Sequence, residues 1–150
     1  MDAQPQTDMA VVHDDLLDAM HRLDLALSAP APRRQRDWCE RVAKELAKLH
    51  ETLGRHVVAA EAPGGMFAEV EKAAPPLHHR IERLKREHAQ LLRQMDVLEA
   101  FVEKQRDQEI YGFQEIRQRA GWLLTGLRHR TALVADLIFE LYDTDIGCGD

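Results

Sequence analysis

Apolar residues recur along this chain at the alternating three- and four-residue spacing of helices that share a core, and strand-like alternation occurs nowhere. The longest seam reads Leu77, Ile81, Leu84, His88, Leu91, Met95, Leu98, Val102. Two others read Met9, His13, Leu16, Met20, Leu23, Leu27 and Cys39, Val42, Leu46, Leu49, Leu53, His56, Ala60. A fourth, Ile116, Ala120, Leu123, Leu127, Arg130, Val134, Leu137, Leu141, is apolar apart from Arg130. Sustained spacing of this kind marks helices that cross at about 20° around one core.

Breaks in the pattern divide the chain. The stretches SAPAP at 28–32 and EAPGG at 61–65 end the first two helical segments, and Pro75 and Pro76 suit the start of the third. Asp107 is a candidate cap for the fourth. The predicted helices are 8–28, 35–61, 76–105 and 108–143, with a short helical turn at 66–72, a polar start at 1–8 and a tail at 144–150. The expectation is an all-α, antiparallel up-down-up-down four-helix bundle, formed by a single domain over 1–150.

Composition narrows the function classes. The formal charge of -6 lacks the clustered cations that a nucleic-acid or anionic-membrane surface needs, so neither is an expected partner. No apolar run reaches the roughly 18 residues of a membrane span, and residues 1–10 carry no secretory pattern, so the expected compartment is the cytosol. Cys39 and Cys148 are far apart and predict no disulfide there. Trp38 and Trp122 read as packing anchors, and Phe113 and Phe139 as exposed apolar residues, compatible with a monomer or a homodimer.

The polar interruptions of the seams carry the chemistry. His13, Leu16, Met20, Leu23 and His88, Leu91, Met95, Leu98 repeat the same gaps, so the halves look like two copies of a helical hairpin. The second and fourth segments carry His56 and His129 near their far ends. In an up-down-up-down bundle these four histidines gather at one end, and inward imidazoles from separate helices are the donors with which bundles hold iron, zinc or copper. On its own seam, however, Arg130 holds the inward position and His129 stands about 100° away.

The pattern resembles the hemerythrin-like (HHE cation-binding) family. That family supplies a histidine from the first helix, His-x-x-x-Glu from the second, a histidine often preceded by Glu from the third and a second His-x-x-x-Glu from the fourth. His13, His56, Glu87-His88 and His129 match the histidine positions. The resemblance implies a hemerythrin-like bundle with non-heme iron, one ion or two, that binds, senses or processes dioxygen, nitric oxide or peroxide, with zinc as the alternative metal. The implied metal ligands are His13, His56, His88, His129 and Glu61. The carboxylates depart from the family pattern: Ala60 follows His56 by four residues, Leu133 follows His129 by four, and Glu61 comes one residue late.

The competing reading is a metal-free helical scaffold or partner-binding protein, descended from that fold, in which the histidines form a polar layer with Arg130 and a carboxylate, Glu61 or Glu87. An apolar seam that accepts a small organic molecule is a third. His21, His50, His78 and His79 fall off the seams or away from the cluster and read as surface residues, and 80–93 reads as the solvated face of its helix.

Overall fold

The computed structural model describes residues 4–30, 35–106 and 112–147, with side chains over 11–30, 35–106 and 112–140. Five α-helices follow one another: α1 (Gln4–Ser28), α2 (Gln35–Glu61), the short α3 (Met66–Ala73), α4 (His78–Arg106) and α5 (Phe113–Gly147), with a 3-10 turn at Pro75–Leu77 before α4. No strand occurs among the described residues. α1 lies against α2, α2 against α4, α4 against α5, and α5 closes the ring on α1, which leaves α2 and α5 as a diagonal pair. This is the four-helix bundle that the seams predict.

The elements differ from expectation mainly at their ends. α1 begins before residue 8, and α5 extends past 143. The prolines form a tight 3-10 turn, so α4 proper begins at His78 rather than at 76. Asp107 and Cys148 lie outside the described residues. No described helix is long and apolar enough to cross a membrane.

Burial follows the seams closely. Leu16, Leu23, Val42, Leu49, Leu53, Met95, Ile116 and Leu127 are fully buried in the main core, which all four long helices build. Trp38 anchors one end of it, stacked on Phe113 at 4.2 Å between ring centroids, with the Arg117 guanidinium 5.3 Å from its ring. Phe113 is thus half-buried rather than exposed, whereas Phe139 is exposed. Trp122 does not pack inside: it is 67% exposed, because its position on α5 precedes the seam residue Leu123 by one and so faces outward.

A second, smaller apolar cluster, Ala60, Phe67, Val70, Ile81, Leu84, Val134 and Leu137, fills the other end. α3 covers it with Phe67 and Val70. The turn that brings α3 over the bundle depends on glycine. Gly64 has φ +80°, and a Cβ on Gly65 would come within 2.5 Å of the Ala59 carbonyl oxygen.

Candidate functional site

Between the two apolar clusters lies a polar layer. On α2 the seam passes from Leu53 in the large cluster through His56 to Ala60 in the small one. On α4 it passes from Leu91 through His88 to Leu84, and on α5 from Leu127 through Arg130 to Val134. The same heptad-like spacing that makes the core therefore delivers His56, His88 and Arg130 to one level, and their relative exposures are 0%, 1% and 1%. His13 from α1 joins them, half-buried, with its ring centroid 6.0 Å from that of His56.

Two hydrogen bonds organise the layer. Arg130 Nη2 donates to His56 Nδ1 at 2.8 Å, reaching across the diagonal from α5 to α2. His88 Nδ1 lies 2.9 Å from Glu61 Oε1, a carboxylate at the end of α2 whose side chain is 31% exposed. A guanidinium only donates and a carboxylate only accepts, so both tautomers follow. His56 accepts at Nδ1 and carries its proton on Nε2, whereas His88 carries its proton on Nδ1. The His88 ring also stacks on Phe67 at 5.6 Å, so the α3 cover touches the layer directly.

Electrostatics keep both inner imidazoles neutral. Burial, reinforced by the Arg130 charge, lowers the pKa of His56 to about 3, and the same two causes lower that of His88 to about 3. Burial also lowers Arg130 to about 10, opposed by the charges of Glu61 and Glu87, so it remains a cation at neutral pH. Glu61 is raised above the ordinary carboxylate value, chiefly by burial, against the pull of Lys85 and Arg130. The layer thus holds one buried positive charge, on Arg130, beside the two neutral imidazoles of His56 and His88.

Of the residues expected to ligate metal, the structure brings together His13, His56, His88 and Glu61. His129 is not among them. It is exposed, lining an outer groove between α4 and α5 with Glu87, Leu91 and Trp122, and Arg130 takes the inward place. Val134, 1% exposed, stands four residues after Arg130. The inward i, i+4 pair on α5 is therefore Arg-Val where a His-x-x-x-Glu site would have two ligands, and on α2 it is His56 and Ala60. The seam spacing already carried this signal at Arg130.

These residues do not fit a pair of metal ions. Both carboxylate positions are apolar, and the guanidinium already bonded to His56 repels a second cation. Among the described residues, only Glu71, His78 and Glu82 place single ligand atoms all within 4.8 Å of one another. They lie at the start of α4 and on α3, outside the layer, half-buried or exposed, with His78 hydrogen-bonded to Glu71 and Lys85 Nζ 3.3 Å from Glu82 Oε1. His78 and Glu82 are an i, i+4 pair legible in the sequence, but Glu71 comes from another helix and no periodicity announces it.

The match to known families agrees with the fold. The model of the hemerythrin HHE cation-binding domain matches residues 4–141, nearly the whole chain, and the chain belongs to that family. No curated protein matches it, and no solved structure does. Within a family defined by cation binding, this chain carries its central positive charge on a side chain.

Proposed function

We propose that this chain is a metal-free binding module of the hemerythrin fold, acting in the cytosol, in which the Arg130 guanidinium stands where relatives hold a metal. The observation that carries the reading is the bond from Arg130 Nη2 to His56 Nδ1, made by a guanidinium 1% exposed. It uses the histidine nitrogen as an acceptor and leaves the layer without an uncompensated set of donors for a metal pair. In this role Arg130 and the His88–Glu61 bond tie α2 to α5 and to α4. Buried polar layers of this kind fix helix register at some expense of stability.

One observation favours a second reading. His88 donates from Nδ1 to Glu61, the pairing that orients an imidazole to ligate through Nε2. A single iron or zinc held by His13, His56 and His88, with Glu61 behind, would then bind a small oxidant such as dioxygen, nitric oxide or peroxide, provided that Arg130 turns away.

Metal content separates the two. Protein made in iron-supplemented medium is expected to retain less than about a tenth of an equivalent of iron plus zinc at pH 7. Retention near one equivalent, lost when His13, His56 and His88 are all replaced by Ala, would establish the second reading instead.

A further inference from the structure

Glu71, His78 and Glu82 bring three ligand atoms within 4.8 Å of one another where α3 ends and α4 starts. The chain between them is fixed. Val70 and Ala74, both buried, anchor the end of α3, and the Ala74 N–H donates to the Val70 carbonyl at 2.7 Å. Pro75 and Pro76 set φ through the turn, which the Leu77 N–H closes on the Ala74 carbonyl at 3.0 Å. Ile81, in the same small apolar cluster as Val70, holds the first turn of α4. His78 and Glu82, four residues apart, share one face of α4, and Glu71 comes to that face from α3. Rigid elements therefore present all three donors, so closing them on an ion orders little backbone.

We infer that Glu71, His78 and Glu82 form a zinc site that clasps α3 to the start of α4. Zinc takes imidazole nitrogen and carboxylate oxygen at about 2.0–2.2 Å, and three such donors leave a fourth position to water. The imidazole disfavours magnesium and calcium, which take oxygen ligands. In the absence of an ion, His78 Nδ1 is hydrogen-bonded to Glu71 Oε1, and Lys85 Nζ lies 3.3 Å from Glu82 Oε1. Both pairs are partly exposed and weak, so a divalent ion displaces them: it takes the place of the proton between His78 and Glu71, and Lys85 swings into solvent. Arg80, nearby on α4, is engaged by Glu140 and does not compete. The ion lies about three turns of α4 from His88 and leaves the bundle centre without metal. Its effect reaches the centre through α3, which carries the Phe67 ring stacked on His88. With three protein ligands near the surface, the site exchanges its ion, and desalting against a chelator empties it.

The full chain, cleared of metal in this way, is titrated with zinc chloride at pH 7 in a calorimeter, beside a thermal unfolding series. The expected result is saturable binding of about one equivalent with a rise in Tm, and no response to magnesium at the same concentration. Glu71→Gln and His78→Ala are each expected to weaken binding by about tenfold or more. Both positions lie near the surface, so both variants are expected to fold, which circular dichroism checks. His50→Ala removes another histidine paired with carboxylates, Asp96 and Glu99, and is expected to leave binding unchanged. Hydrogen exchange reads the clasp itself: zinc should slow the α3 amides in the parent and not in Glu71→Gln. Equal affinity in the parent and His78→Ala, or an equal response to magnesium, would overturn the site. Zinc binding lost in His88→Leu but kept in His78→Ala would place the ion in the polar layer and contradict the metal-free reading as well, whereas a parent that binds no zinc contradicts this inference alone.

Discussion

Two histidine groups sit about three turns apart along α4 and have opposite character. The outer one, His78 with Glu71 and Glu82, pairs an imidazole with carboxylates at the water's edge. The inner one sets His56 and His88 beside a buried guanidinium, with one half-exposed carboxylate reaching only to His88. Residue type alone, histidine near acid on a helix, does not distinguish them. Burial and the neighbouring helix do: α3 and α5 close over the inner group and leave the outer one solvated.

The largest expected effect is on the cover of the inner group. Phe67 is fully buried between His88 and the small apolar cluster, so Phe67→Ala is expected to cost about 3–5 kcal/mol in denaturant unfolding. A loss under about 1 kcal/mol would mean that α3 does not seal the layer.

Acid is the next strongest lever. The folded state holds His56 and His88 at about 3, below the unfolded value of about 6.5. The unfolded chain therefore binds more protons between these values, and stability falls as pH drops through that window. By pH 5 the loss amounts to about 2 kcal/mol per imidazole, and Glu61, whose pKa is raised, opposes it. His88→Leu should flatten this acid limb while His78→Ala leaves it in place; equal slopes in both variants would erase the contrast between the groups.

Smaller effects belong to the groups nearer water. Glu61→Gln weakens the bond to His88 at a partly exposed position and should cost roughly 1 kcal/mol, discounted for screening. His78→Ala should cost less than about 0.5 kcal/mol, since its pairing with Glu71 is exposed. Thermal or urea unfolding of the two variants side by side checks their order.

The contrast also shows what the sequence could and could not disclose. The fold was legible because packing repeats: Val42, Leu46, Leu49 and Leu53, like Leu91, Met95, Leu98 and Val102, are buried as their spacing requires. Leu77 departs from this, half-exposed because it belongs to the proline turn and not to α4. The inner layer was legible as a level, and Arg130 as its fourth member, because seam spacing locates inward positions without regard to chemistry. Resemblance by histidine alone selected His129 instead, one residue and about 100° away on the exposed face. The stacking of Phe67 on His88 and the meeting of Glu71 with His78 join separate helices through a turn set by Gly64 and Gly65, and such contacts leave no local pattern.

Rebuilding the ligands tests the central claim, that a guanidinium stands in the metal's place, most directly. Iron content and visible absorption are to be measured for the parent beside a variant carrying Ala60→Glu, Arg130→His and Val134→Glu, both produced in iron-supplemented medium. The parent is expected to be colourless, with less than about a tenth of an equivalent of iron, and the variant to retain roughly one to two equivalents. Iron retained by the parent at a level the variant does not exceed would contradict it.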